Sequence, residues 1–138
     1  MIILDTNVLS AVMRQTPDPS VIDWLDRQAR SSVWTTSVTV FEVRLGLRIL
    51  AAGRRRTLLT EAFEELLARI GQRVATFDGA AAEQASDLMA TRHKRGRPGD
   101  LRDTMIAGIA LAQQATLATR NTAHFEDTGI RLVNPWAI

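Results

Sequence analysis

Three acids stand where chemistry could be done: Asp5 after the apolar run Ile2-Ile3-Leu4, Glu42 in Thr39-Val40-Phe41-Glu42, and Asp103 three residues beyond Asp100. Carboxylates orient water and bind hard cations, and several brought together repel one another unless protonated or bridged by a cation such as Mg²⁺. Each also has an ordinary structural role. Asp5, Thr6 or Asn7 could cap a helix, Thr39 and Glu42 have the form of a capping box, and Asp103 is an acid in a first turn beside the Asp100 cap. Whether they do chemistry depends on whether the fold collects them.

The elements that would position them follow from apolar spacing. Ile2 to Leu4 is a short, β-branched run that reads as a strand buried on both faces, with Asp5 at its carboxyl end, where open α/β sheets bind ligands. A short helix over Asn7 to Arg14 is predicted to stop before Pro17 and Pro19. A second runs through Val21, Ile22 and Leu25 to Ala29. Val33 to Thr36 reads as a strand, with a long helix opening at Thr39 and breaking near Gly53. Another helix follows from Arg54-Arg55-Arg56 to Gly71, forming a hairpin with the one before it. Arg73 to Phe77 reads as a strand, and a helix from Asp78 or Gly79 runs into the basic stretch Arg92 to Gly99. Asp100 is the natural N-cap for a helix over Leu101 to Ala115. Thr116 to Thr119 and Ile130 to Val133 read as strands on either side of a loop or short helix over Arg120 to Phe125, with a fixed turn at Asn134-Pro135-Trp136. Helices alternating with short strands predict one α/β domain over residues 1–138, a parallel sheet covered on both faces. The three acids would then meet near one edge of that sheet.

Composition narrows the function classes. The chain has 138 residues, 46% of them hydrophobic, enough for one proper core. Its 17 basic and 15 acidic residues leave a formal charge of only +2, so overall charge says little about nucleic acid. With no cysteine there are no disulfides, thiol nucleophiles or thiolate metal sites. A Gly-x-Ser-x-Gly nucleophile elbow is missing too. No apolar run approaches the roughly 20 residues of a membrane span, and a soluble, cytoplasmic protein is expected. Three Trp and four Phe without Tyr are too few for a base-stacking platform, so Trp24 and Trp136 read as anchors of packing or of a subunit interface.

Asp5-Thr6-Asn7 after an apolar strand, Thr39-x-x-Glu42, Asp103-x-x-Ile106-Ala107 and Thr119-Arg120-Asn121 before a short last strand resemble the PIN-domain ribonucleases. The likeness is strongest to VapC-type toxins of bacterial toxin–antitoxin pairs, including those ending in Asn-Pro-Trp, and it covers essentially the whole chain. The resemblance implies a three-layer α/β/α sandwich around a parallel sheet. It implies an acidic triad of Asp5, Glu42 and Asp103 that binds Mg²⁺ or Mn²⁺ to cut RNA. Thr6 and Asn7 would support Asp5, and Thr119 and Asn121 would line the same pocket. Many members carry a further acid three residues after the asparagine, where this chain has His124. His124 is therefore a candidate phosphate or leaving-group contact, Asp127 a candidate substitute ligand, and Asp100 a cap acting through Asp103. The implied partners are a VapB-like antitoxin and a second copy of the chain, with DNA contacted only through the antitoxin.

The implied reaction is metal-assisted phosphodiester hydrolysis, the cation held by Asp5 and Asp103 with Glu42 beside them. Arg54 to Arg56 and Arg92 to Arg97 form the dense basic runs. They are either solvated faces or phosphate contacts, with Arg92, Lys94 and Arg95 the candidates for RNA. Two competing folds fare worse. A phospho-accepting receiver module needs a late lysine at a strand end, and the one lysine, Lys94, lies elsewhere; dehalogenase-like phosphatases want Asp-x-Asp where Asp5-Thr6-Asn7 stands. A catalytically weak PIN-like module that binds RNA or a partner is the remaining alternative.

Overall fold

A computed structural model describes all 138 residues. Five parallel strands, β1 (Ile2–Leu4), β2 (Val33–Thr36), β3 (Val74–Ala75), β4 (Thr116–Ala118) and β5 (Leu132–Val133), form one sheet in the order β3-β2-β1-β4-β5. The chain builds outward from β1 to β3 on one side and then returns to add β4 and β5 on the other. The strand order therefore reverses between β1 and β4, and a crevice opens at such a reversal beyond the carboxyl ends of the strands.

Six α-helices cover the sheet: α1 (Thr6–Met13), α2 (Pro19–Asp26), α3 (Ser37–Ile49), α4 (Arg54–Ile70), α5 (Gly79–Lys94) and α6 (Leu101–Gln113). A 3-10 turn spans Arg30–Ser32 and another spans Thr122–Thr128. Alternate residues of β1 face opposite sides, as a strand requires. Leu4 joins Val8, Leu9, Trp24, Val43 and Phe63 from α1 to α4. Ile3 joins Val38, Ala81, Ile106, Ile109 and Phe125, mainly from α5, α6 and the second 3-10 turn. Two cores separated by one sheet make the three-layer α/β/α sandwich expected from the sequence. No helix is long and apolar enough to cross a membrane.

The helix boundaries carry local reasons. Asp18, Asp78 and Asp100 cap α2, α5 and α6 through their side chains, and Gly71 closes α4 with a positive φ of 62°. Helices α5 and α6 pack unusually closely at Gly108: a Cβ there would sit 2.5 Å from the Ala81 carbonyl oxygen and 2.8 Å from the Ala85 methyl. That approach lets the last turn of α5 reach the first turn of α6.

Among the boundaries that differ from expectation, two lie at β2 and its neighbours. The N-cap of α3 is Thr36, whose hydroxyl accepts from the Thr39 N–H at 3.0 Å, so the helix starts earlier and Glu42 lies in its second turn. Thr39 and Glu42 do not form a capping box. Strand β3 is also shorter than the Arg73 to Phe77 run, because pairing with β2 is confined to Val74 and Ala75.

Candidate active site

The reversal point between β1 and β4 places Leu4 opposite Ala118, so the next residues, Asp5 and Thr119, emerge side by side. Asp5 is only 3% exposed. Its Oδ1 accepts from the Thr6 N–H at 2.8 Å and so caps α1. Its Oδ2 accepts from the Thr119 hydroxyl at 2.7 Å and from Asn7 Nδ2 at 3.2 Å. One oxygen of the carboxylate thus caps α1, and the other accepts from the strand-end Thr119 and from Asn7. Thr119 in turn accepts from the Asn121 N–H at 3.1 Å, and Asn7 Oδ1 accepts from the Arg120 N–H at 3.2 Å. Asn121 contributes its backbone; its side chain makes no hydrogen bond within the chain.

Glu42 reaches the same place from α3. Its Oε1 accepts from the Thr6 hydroxyl at 2.9 Å, and Thr6 Oγ1 lies 3.0 Å from Thr39 Oγ1, which accepts from the Thr36 hydroxyl at 3.2 Å. A hydroxyl has one proton, so the direction is fixed along the chain: Thr36 donates to Thr39, Thr39 to Thr6, and Thr6 to Glu42. Three threonines from β2, α3 and α1 thereby aim one carboxylate oxygen, while Arg102 lies 3.6 Å from the other.

Asp103 completes the set from the first turn of α6, its N–H bonded to the Asp100 side chain at 3.0 Å. Asp5, Glu42 and Asp103 line one cleft of about 400 Å³ together with Thr6, Asn7, Ser10, Arg14, Arg120 and Trp136. Burial raises the Asp5 carboxyl above its ordinary range; the Thr119, Thr6 and Asn7 hydrogen bonds oppose this, and the charge of Asp103 adds to it. Burial likewise raises Asp103, with the Asp100 and Glu42 charges adding and the His124 contact opposing. A cleft that raises two neighbouring acids has an unmet preference for positive charge.

The flank beyond Asp103 corrects two expectations, for Arg92 and Asp127, and adds a contact for His124. His124 does not stand alone: its Nδ1 is 3.2 Å from Asp103 Oδ2. Arg92 is not a free phosphate contact, since it is only 5% exposed. Its Nε and Nη2 donate to the two oxygens of Asp127 at 2.9 and 2.8 Å, its Nη2 also to the His124 carbonyl at 2.8 Å, and its Nη1 to Thr104 Oγ1 at 3.2 Å. Asp127 is held by that fork and points to Arg92 rather than serving as a substitute ligand, and the pair lowers its carboxyl below the ordinary range. Lys94 and Arg95 are exposed at the end of α5. Arg95 and Arg97 also line a second cavity of about 410 Å³ that shares Asp103 and His124 with the flank.

The PIN domain family model matches residues 2–130, nearly the whole chain. The chain belongs to the PIN-domain family. Among the relatives of this PIN domain, the VapC ribonuclease Y4jK of Sinorhizobium fredii is 39% identical over 137 residues, covering 99% of this chain and 98% of the relative. Toxin FitB of Neisseria gonorrhoeae is 33% identical over 137 residues, covering 99% of each. A solved structure of FitAB bound to an IR36 DNA fragment contains a chain that superposes with a TM-score of 0.91 at 32% identity, over 100% of this chain and 97% of that one. The likenesses to the relatives and to the FitAB chain span nearly the whole chain, and the family match reaches through β4 to the second 3-10 turn.

Sequence reasoning missed the threonine relay and the burial of Arg92. Both had a signal. Thr36-x-x-Thr39 has the same cap spacing as Thr39-x-x-Glu42, and Arg92 continues the inward stripe Ala81, Ala85, Leu88 of α5 at helical spacing.

Proposed function

We propose that the chain is a metal-dependent endoribonuclease toxin that hydrolyses RNA phosphodiester bonds at the Asp5–Glu42–Asp103 cleft. The observation that carries this reading is the convergence of those acids at the strand-order reversal, two of them with raised carboxyls and no lysine or arginine paired to either. The likeness to a VapC ribonuclease and to toxin FitB supports it.

The donor set fits Mg²⁺ or Mn²⁺. No three acidic or histidine side chains are gathered into a ready-made metal cage. Mg²⁺ does not need one, because it is held by one or two carboxylates and completes its shell with water and substrate phosphate. Asp5 and Asp103 would hold the cation, with Glu42 beside them. When bound, it supplies a nucleophile of lowered pKa and offsets charge on the scissile phosphate.

The chain's own residues do the rest. Thr119, Asn7 and the Thr6 N–H keep the Asp5 carboxylate in one orientation, and the threonine relay does the same for Glu42. Asp100 and His124 flank Asp103. The oriented carboxylates accept hydrogen bonds from water in the cleft and so restrict where attack begins, which is the positional part of catalysis.

The partner reading follows the same line. FitAB is bound to an IR36 DNA fragment in the similar structure. A VapB- or FitA-like antitoxin that covers the acidic cleft would neutralise this chain and carry it to DNA. A homodimer is consistent with Phe41 and Leu101, which are 56% and 61% exposed near the acids.

The test is to incubate the antitoxin-free chain with total RNA, with Mg²⁺, with Mn²⁺ and with chelator, and to map new ends. Asp5→Asn is expected to lower cleavage by about a hundredfold or more while the circular dichroism spectrum is retained. Undiminished cleavage by that variant removes the proposal. Silence of the parent with both metals favours the weak binding module, a reading that His124 in place of an acid supports.

A further inference from the structure

The acidic cleft contains two guanidinium groups that the triad does not use. Arg14, from the end of α1, and Arg120, from the segment after β4, both line it, and neither has a carboxylate within 4.0 Å or a side-chain hydrogen bond within the chain. Arg102 differs, because it faces Glu42. Arg120 is also pre-positioned. Its backbone N–H is bonded to Asn7 Oδ1, the same side chain that donates to Asp5, and its guanidinium lies over the Trp136 ring, 5.0 Å from the centroid. Trp136 is held in turn, with its N–H bonded to Asn134 Oδ1 at 3.0 Å and its ring packed partly against the core of α1 to α4.

A guanidinium stacked on an aromatic face keeps its in-plane N–H fork free, and that fork matches a phosphate's geometry. Arg120 is exposed at the rim of the acid-lined cleft, and with no carboxylate partner its fork faces solvent and is open to a ligand. From this, and resting on the ribonuclease reading above, we infer that Arg120, held over the Trp136 ring, binds the RNA phosphate adjacent to the one cut, with Arg14 as a second contact. Trp136 is then a positioning residue for Arg120 as well as a packing anchor. The asymmetry of the cleft follows: the acids attend the scissile phosphate, and the Arg120 rim fixes the strand so that this phosphate falls on them. An RNA phosphate is favoured over an acidic protein side chain because the backbone N–H of Arg120 is tied through Asn7 to Asp5, which keeps its side chain beside the acid that the cleavage reading places at the reaction.

The test is binding of a single-stranded RNA by the full chain carrying Asp5→Asn, without divalent metal, across a range of salt. Arg120→Ala is expected to weaken binding by about tenfold and to reduce the slope of log K against log salt by about 0.7, the value for one phosphate contact to a single strand. Arg120→Lys keeps the charge and loses the fork, so the slope should stay while affinity falls by a few-fold. Trp136→Phe should bind like the parent, and Trp136→Leu should approach Arg120→Ala. Where Trp136→Leu fails to fold, the two Arg120 variants decide. In the cleavage-competent chain Arg120→Ala should raise KM more than it lowers kcat. An unchanged salt slope for a folded Arg120→Ala variant overturns the inference, and an unchanged slope with weakened antitoxin capture assigns the rim to a protein carboxylate instead. Absence of RNA binding by the parent overturns this inference together with the cleavage reading, whereas binding with the expected slope change but no cleavage overturns the latter alone.

Discussion

On the Asp5 wall of the cleft a carboxylate is buried among hydroxyl and amide donors, whereas on the wall beyond Asp103 the buried charge is a cation, Arg92, matched by Asp127. The first arrangement leaves a negative charge without a positive partner, and burial raises its carboxyl above the ordinary range. The second closes on itself: fork meets carboxylate, and the pair lowers Asp127. The direction of the shift separates the roles. An acid that the fold makes uncomfortable is available to a ligand, and an acid that the fold makes comfortable is already used. Asp103 falls with Asp5 despite lying nearer Asp127 in the chain.

The largest expected effect tests that separation. Asp127→Ala strips the partner from a buried guanidinium and should cost about 2–4 kcal/mol in urea unfolding, below the range for fully buried pairs because Asp127 is 36% exposed. Asp5→Asn, measured in chelator, should leave stability unchanged or raised, since it removes an unpaired buried charge. A costly Asp5→Asn beside a silent Asp127→Ala would reverse the comparison.

A smaller effect appears in pH dependence. Asp127 is lowered on folding, so its stabilisation is present above the unfolded aspartate range and is lost as pH falls through its folded value. Asp5 is raised, so its ionised form costs stability, and that cost grows as pH rises from the unfolded value through the folded one. The difference in stability between parent and Asp127→Asn should therefore shrink as pH falls below about 4, while any advantage of Asp5→Asn in chelator should already fade as pH falls towards about 4 from above. Thermal unfolding between neutral pH and the acid limit measures both; parallel curves would erase the distinction.

The two walls also differ in how far the sequence disclosed them. The Asp5 wall rests on near neighbours and strand register. An apolar strand ending in Asp-Thr-Asn announces a carboxylate at a sheet edge, and the parallel β1–β4 pairing then supplies Thr119. Helix starts at Asp78 and Asp100 were legible for the same local reason, side chains bonding N–H groups three residues on. The Arg92 wall depends on a bond across 35 positions of chain, and a dense basic run hid which of its members turns inward. Only the continuation of the alanine stripe separated Arg92 from Lys94 and Arg95. Thr36 was obscured differently: two cap patterns overlapped, and the end of β2 decided between them.

The smallest expected effect lies where the walls meet, at His124. Its imidazole contacts Asp103 at 3.2 Å but is 58% exposed, and it carries charge only when protonated. Exposed pairs of this kind contribute about 0–1 kcal/mol, so His124→Ala should shift unfolding by less than about 1 kcal/mol, well under Asp127→Ala. The backbone of His124 is a different matter, because its carbonyl accepts from Arg92 whatever the side chain is. Removing the imidazole therefore leaves the wall standing and tests only its reach to Asp103. Cleavage by His124→Ala should fall by a few-fold, with Asp127→Ala reducing it further once the turn that carries His124 is released. Equal losses in stability for the two variants would mean that the imidazole, and not the Arg92 fork, holds that wall against the acids.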